Sequence, residues 1–380
     1  MDTALQAGIE RKVLSGDRLT FDDGVALYEC DDLAWLGGLA HHVRTERNGD
    51  RVMFNVNRHL NLTNVCEASC SYCSFQRKPG DSDAYTMRVE EAVRLATAMQ
   101  SEGLTELHIV NGLHPTLPWK YYPRVLRELR AALPGVALKA FTATEIHFFE
   151  KISGLTADAI LDELIDAGLT SLTGGGAEIF DWEVRSKIVD HDTHWEDWSR
   201  IHRLAHGLGL RTPCTMLYGH IEAPRHRVDH VLRLRELQDE TGGFVVFIPL
   251  RFHNDNNPLG ATTPMATGAE ALKTFAVSRL LFDNIEHVKN FWVMHGLSTA
   301  QLSLSFGADD LDGSVVEYKI THDADGFGTP EKMSRESLLE LIRDAGFRPV
   351  ERDTRYNVIR EYDGPAPLAE RRAEPQAVWS

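Results

Sequence analysis

The chain is 380 residues long, with 40 Lys and Arg against 56 Asp and Glu and a formal charge of −16. Such a field disfavours nucleic acid and anionic membrane surfaces, which need a positive partner, and the longest strongly apolar run, 244–250, falls far short of the roughly 20 residues of a membrane helix. The composition, 43% hydrophobic and 25% charged, is that of a globular protein, and the length suits two or three domains or one α/β barrel plus extensions.

Residues 1–50 read as helical, with Asp placed ahead of apolar periodic runs in the manner of N-caps. No apolar segment follows a basic start in MDTALQAGIERKV, so a cytoplasmic location is expected. After Gly49 the pattern becomes strand and helix in alternation. Short β-branched or aromatic runs predict strands at 52–60, 106–111, 137–142, 171–173, 211–218, 244–250, 290–294 and 301–305. Apolar positions at a 3.6 period predict helices at 89–101, 122–132, 157–167, 195–208, 227–240, 268–282 and, near the end, 334–345. Eight strands alternating with helices predict an α/β fold, a (β/α)8 TIM-type barrel partly open where the last two units are compressed. The expected organisation is a helical segment over 1–50, the barrel over 51–320, a helix and strand extension over 321–363, and a Pro- and Ala-rich tail over 364–380.

Three of the five cysteines fall within eight residues, in CEASCSYC. Cys30 and Cys214 stand alone and read as small buried hydrophobes. Cys66, Cys70 and Cys73 share one loop after the first strand, and thiolates suit zinc or the iron of an iron–sulfur cluster. A structural zinc site wants four ligands. A fourth might be sought in His59, but no second CxxC and no HxxxH lies near. A 4Fe–4S cluster held by three cysteines leaves one iron open to a small molecule. Tyr72, just before the third cysteine, is placed either to cover such a cluster or an adenine ring, or simply to pack. In a barrel the chemistry gathers at the C-terminal strand ends, which makes NGLHP, TATEIHFFE, GGGAEIF, LYGHIEAPRHR, PLRFHNDNN, MHG and GADDLDGS the loops of interest. GGGAEIF is not a phosphate loop, since no GK[ST] follows, and its glycines suit close backbone approach. The acidic GADDLDGS reads as a cap on the barrel mouth or equally as a turn, and His191 and His194 in DHDTH as solvated.

C-x3-C-x-aromatic-C behind the first strand of a βα barrel resembles the signature of the radical S-adenosylmethionine (SAM) superfamily; here it is Cys66, Cys70, Tyr72 and Cys73. NGLHP resembles the family's GGxxP turn, with Asn111 in place of its first glycine. GGGAEIF, TMLYGHIE, GADDLDGS and AGFRPVERDTRYNVI resemble a subgroup that contains aminofutalosine synthases, dehypoxanthine futalosine cyclases and the synthases of the deazaflavin chromophore. VALKAFTATEI and GLHPTLPWKYYPRVLREL are similar to the first of these, the other two being the alternatives.

The resemblance implies a 4Fe–4S cluster on the three cysteines and SAM as a consumed co-substrate. Its 5′-deoxyadenosyl radical would add to the vinyl carbon of 3-[(1-carboxyvinyl)oxy]benzoate, with loss of a carboxylate, on the way to menaquinone. It also implies a reduced flavodoxin or ferredoxin as electron donor. Asn111 and Gly112 would then meet the SAM amino group, and Glu145 and Glu178 its ribose hydroxyls or amino group. The two substrate carboxylates call for local cations, for which the strand-end candidates are Arg58, His220, Arg251, His253 and His295, with Glu222 placed to orient His220. Of these, His220, Arg251 and His295 are the expected catalytic residues.

Overall fold

The computed structural model describes residues 1–98, 100–315 and 332–366. Three helices come first: α1 (Thr3–Ser15), α2 (Phe21–Glu29) and α3 (Leu33–Asn48). Each starts where a side chain satisfies the free N–H groups of the first turn: Asp2 accepts from the Leu5 N–H, Thr20 and Asp23 form a capping box, and Asp32 accepts from the Trp35 N–H.

Strand and helix then alternate through β1 (Arg51–Asn55), β2 (Asn57–Leu60), α4 (Val89–Thr97), β3 (Glu106–Ile109), α5 (Tyr121–Ala132), β4 (Ala137–Ala140), α6 (Ala143–Ser153), α7 (Ala157–Asp166) and β5 (Leu169–Ser171). The second half runs α8 (Trp182–Ile188), α9 (Trp195–Gly207), β6 (Thr212–Tyr218), α10 (Pro224–Thr241), β7 (Phe244–Arg251), α11 (Gly268–Leu281), β8 (His287–Val288), α12 (Trp292–His295), α13 (Leu297–Ser303) and β9 (Asp310–Gly313). The described chain closes with α14 (Arg335–Asp344), β10 (Arg348–Arg352) and β11 (Val358–Glu361).

β1 and β2 are one strand interrupted at Val56, and counted so, eight parallel strands follow one another in chain order. Ladders join β2 to β3, β4 and β5, and β6 to β7 and β8. A bridge from Lys289 to Asp310 links β8 to β9, and β9 returns to β1 with Met53 opposite Asp310. Among the described residues no ladder joins β5 to β6. That seam is held instead by hydrogen bonds from Ser171 Oγ to the Arg211 carbonyl (2.7 Å), Thr215 Oγ1 to the Gly174 carbonyl (2.7 Å) and the Leu217 N–H to the Glu178 carbonyl (2.8 Å). The result is the expected α/β barrel architecture, but its loop-made seam lies between β5 and β6 and not at the compressed last two units. β10 lies parallel on the free edge of β1, below β3, and β11 pairs antiparallel with β10. The N-terminal helices pad the outside, α2 against α10 and α3 against α11. No helix among the described residues is long and apolar enough to cross a membrane.

Two strand expectations are corrected. The eighth strand and the one before it are not 301–305 and 290–294, which fall largely in α13 and α12; the strands are β9 and β8. A short apolar run reads alike as a strand or as one buried helical turn, and Trp292, Val293 and Met294 form such a turn. β9 escaped notice because it is acidic. Asp309 pairs with Arg279 and His287, Asp310 with Arg352 and Asp312 with Lys289, so GADDLDGS is a buried strand and not a turn. TATEIHFFE, read as a loop, is mostly α6. The end of the expected barrel, 316–320, the start of the expected extension, 321–331, and most of the expected tail, 367–380, lie outside the described residues.

Candidate active site

The loop after β2 carries the three cysteines into the mouth of the barrel, and its backbone fixes them. The Cys66 N–H donates to the Arg77 carbonyl (2.9 Å) and the Cys73 N–H to the Cys70 carbonyl (3.1 Å). Lys78 Nζ gathers the carbonyls of Cys66, Glu67 and Ala68 at 3.1, 2.9 and 2.8 Å. From the other side comes the segment after α8: the Ser69 N–H donates to Asp190 Oδ2 (2.7 Å), and the Asp190 N–H donates to Cys70 Sγ (3.3 Å). Arg185 of α8 holds that segment to the glycine turn, donating to the Gly176, Ala177 and Thr193 carbonyls.

The donor set fits an iron–sulfur cluster. Three thiols face one cavity, and burial pushes the Cys70 thiol up to about 12 and the Cys73 thiol up to about 11, so thiolates there need a cation. A single tetrahedral zinc, with Zn–S bonds of about 2.3 Å, would draw the sulfurs to roughly 3.8 Å. Among the described residues the His, Cys, Asp and Glu side chains whose ligand atoms gather within 4.8 Å are Asp181, Glu183 and His226, not the three cysteines. His226 Nδ1 accepts the Ala223 N–H (2.9 Å), which leaves the proton on Nε2, aimed at the two carboxylates. That trio sets one imidazole N–H 3.9 and 3.8 Å from the two carboxylates, with its other ring nitrogen already engaged by the backbone.

The expected SAM-side residues all line the same cavity as the cysteines. Tyr72 Oη donates to Glu178 Oε1 (2.8 Å), and burial pushes the Glu178 carboxyl up. Glu145 is the N3 residue of a capping box on α6: its Oε2 accepts from the Thr142 N–H (2.8 Å) and its Oε1 from Asn111 Nδ2 (3.0 Å). Burial raises its carboxyl to about 7. Asn111 Oδ1 accepts the Leu62 N–H (2.6 Å), tying the NGLHP turn to the start of the cysteine loop. Gly112 must be glycine, because a Cβ there would collide with the Val65 carbonyl of the crossing loop. The triple glycine makes its close approaches to protein: a Cβ on Gly174 would press on Thr215 of β6, across the β5–β6 seam, and one on Gly176 on Thr144 at the start of α6, while all three glycines line the cavity.

The expected catalytic trio is placed differently, since none of His220, Arg251 and His295 is among the lining residues. His220 does meet its expected orienter, with Nδ1 3.0 Å from Glu222 Oε2, and Arg227 pairs with the same carboxylate. Burial would raise Glu222, but Arg227 and His220 outweigh it and hold the carboxyl below its ordinary range. His295 sits on α12, with Nε2 3.1 Å from Tyr218 Oη and Nδ1 3.0 Å from the Phe291 carbonyl; burial drops its basicity to about 3. Arg251, at the end of β7, is buried near Tyr218 and His295. Arg58 is buried and absent from the lining, whereas His253 lines the cavity, its Nε2 2.8 Å from the Met294 carbonyl. His191, expected in solvent, also lines it, and burial lowers its basicity to about 3, while His194 packs at a tilt of 55° against Trp182. Cys30 and Cys214 are buried, as expected.

Sequence reasoning missed the cavity's inner end. His59, His108, Lys139, Lys289 and Asp312 line it, with Lys139 paired to Glu106 and Lys289 to Asp312 (3.0 Å). The signal was available: a lysine in mid-strand, as in ALKA, must be paired or functional, the same argument that drew notice to Arg58.

Residues 60–234 match the family model of the radical SAM superfamily, and residues 241–363 that of the CofH/MqnC C-terminal region. The chain is 76% identical to the aminodeoxyfutalosine synthase of Streptomyces coelicolor across 99% of both chains. It is 43% identical to that of Thermus thermophilus across 93% of this chain and 96% of the relative. The cyclic dehypoxanthine futalosine synthase of Halalkalibacterium halodurans is 32% identical across 94% of this chain and 95% of its own. In three dimensions the chain is similar to the FeFe-hydrogenase maturase HydG of Carboxydothermus hydrogenoformans (TM-score 0.73, 18% identity, 92% of this chain and 80% of that one). It is also similar to methylornithine synthase (TM-score 0.70, 17% identity, 96% and 99%). At such identities these two likenesses speak for the fold. The cysteine loop, the barrel and the full-length similarity place the chain in the radical SAM superfamily, where it belongs to the family of the aminodeoxyfutalosine synthases.

Proposed function

We propose that this chain is a radical SAM aminofutalosine synthase. It joins C5′ of SAM to the vinyl carbon of 3-[(1-carboxyvinyl)oxy]benzoate; rearrangement onto the aryl ring and loss of a carboxylate give 6-amino-6-deoxyfutalosine and methionine for menaquinone biosynthesis. The observation that carries this reading is the 76% identity to a synthase of that name along the whole chain. The 32–39% shared with cyclase and transferase relatives is much lower.

Cys66, Cys70 and Cys73 would hold a 4Fe–4S cluster, which when bound and reduced supplies the electron that breaks the sulfonium C–S bond of SAM. The chain's own part is to bind, orient and shield. The Asn111 and Gly112 backbone suits the SAM amino group. Glu145 and Glu178 are carboxylates already fixed by Thr142, Asn111 and Tyr72, and suit acceptance from ribose hydroxyls or that amino group. Leu217, Ile248, Leu250, Phe252, Phe291 and Met294 form an apolar wall that keeps water from a reactive carbon. Arg251 and His295 stand behind that wall, and His220 acts through Glu222, so their proposed part is to set its shape. The electron donor is a reduced flavodoxin or ferredoxin, and the location is cytoplasmic.

The test is product mass spectrometry after anaerobic reconstitution with iron and sulfide, followed by dithionite, SAM and the enolpyruvyl benzoate. An adduct of adenosine and the benzoate-derived unit, with little free 5′-deoxyadenosine, is expected. Free 5′-deoxyadenosine without the adduct moves the substrate to the cyclase or deazaflavin branch.

A further inference from the structure

The inner end of the cavity is a row of polar side chains where barrels of this type carry branched aliphatic ones. His59, His108 and Lys139 stand level on β2, β3 and β4, His59 opposite His108 and His108 opposite Lys139. All three line the cavity, one residue below the strand ends Leu60, Ile109 and Ala140. The two imidazoles stack, with centroids 4.5 Å apart. Across the barrel Lys289 and Asp312 complete the row, close enough that both act electrostatically on Lys139. Lys139 and Lys289 are only 4% and 3% exposed. Burying two ammonium groups is costly even when each is paired, and apolar residues of similar volume would serve packing as well or better. An ammonium carries three donors, and the ion pairs with Glu106 and Asp312 leave both lysines still facing open volume.

We infer that this row is a subsite for one carboxylate, the aryl carboxylate of the second substrate, seated between the Lys139 and Lys289 ammonium groups with His59 and His108 as flanking donors. The inference rests on the functional reading above. The vinyl carbon must meet C5′ at the cysteine end, beyond the strand tips, so the far end of the substrate points down the barrel. Glu106 and Asp312 leave the row no surplus of positive charge, which disfavours a doubly charged phosphate, while the ammonium donors that the ion pairs leave over can hold a singly charged carboxylate.

The experiment measures affinity in the reconstituted holoenzyme with SAM and no reductant, for 3-[(1-carboxyvinyl)oxy]benzoate and for its benzamide counterpart. The wild type should prefer the benzoate by about 30-fold or more, the lower range for a buried charge pair. In Lys139→Met and Lys289→Met that preference should fall to near parity while benzamide affinity holds. Should either variant fail to load iron, the charge-neutral pairs Lys139→Met with Glu106→Gln and Lys289→Met with Asp312→Leu replace it. A preference retained in the lysine variants, or absent from the wild type, overturns the subsite and leaves the functional reading standing. A wild type that binds neither compound overturns both.

Discussion

The two ends of the cavity are held by different physics. At the mouth, a long loop is fixed by backbone hydrogen bonds and by Lys78 and Asp190, which reach its carbonyls and N–H groups. At the inner end the backbone is regular strand, and side-chain ion pairs set the arrangement. A lost hydrogen bond at the mouth can be replaced by water, whereas a lost charge at the inner end leaves its partner buried and unpaired. The mouth should therefore bear substitution as a matter of chemistry, and the inner end as a matter of stability.

The largest effect belongs to chemistry alone. Cys70→Ala is expected to abolish cluster binding and SAM cleavage while leaving the fold intact; measurable iron and sulfide with 5′-deoxyadenosine release in that variant would refute the cluster assignment. Lys289→Met should reverse the pattern. It strands Asp312 and should cost about 3–5 kcal/mol in denaturant unfolding, most of it recovered in the double variant with Asp312→Leu. A single-variant cost below about 1 kcal/mol, typical of an exposed pair, would erase the contrast between the two ends.

Glu145 sharpens the comparison, being a buried carboxyl at the mouth that no cation among the described residues pairs. Its folded value of about 7 lies above the ordinary 4.5, so between these values the folded chain binds more protons than the unfolded one. Its contribution is then fully present below about pH 4.5 and is lost as pH rises through about 7. Glu145→Gln should remove that slope from a plot of unfolding free energy against pH, and an unchanged slope would assign it to another group. Smallest is Lys78→Met, expected to cost roughly 1 kcal/mol but to release cluster iron faster on gel filtration. Unchanged iron retention would show that the loop does not depend on this tether.

Most of the barrel and the cysteine loop were legible in the sequence, because both are written locally. Strand and helix periods recur along the chain, and Cys66, Cys70, Tyr72 and Cys73 sit within eight residues. What escaped depends on partners far apart in sequence. Asp309, Asp310 and Asp312 read as a turn because Arg279, Arg352 and Lys289, which allow them to be a strand, arrive from α11, β10 and the end of β8. The catalytic trio was placed by the rule that strand ends carry chemistry, yet the loop after β6 turns His220 toward Glu222, and the expected strand before His295 is α12, which turns it toward Tyr218.

The strand β10 has a consequence for how the molecule is made. It occupies the lower edge of β1, and its neighbours reach under the barrel: Arg352 holds Asp310, and Thr354 Oγ1 donates to Glu106 Oε2 (2.8 Å) across 248 residues of chain. Glu106 is the partner of Lys139. The barrel's interior charge balance thus stays incomplete on the ribosome until the residues near 350 have emerged. Long-range closures of this kind form late, so the nascent chain should gain protease resistance abruptly at the end of synthesis, and metal loading should follow translation rather than accompany it.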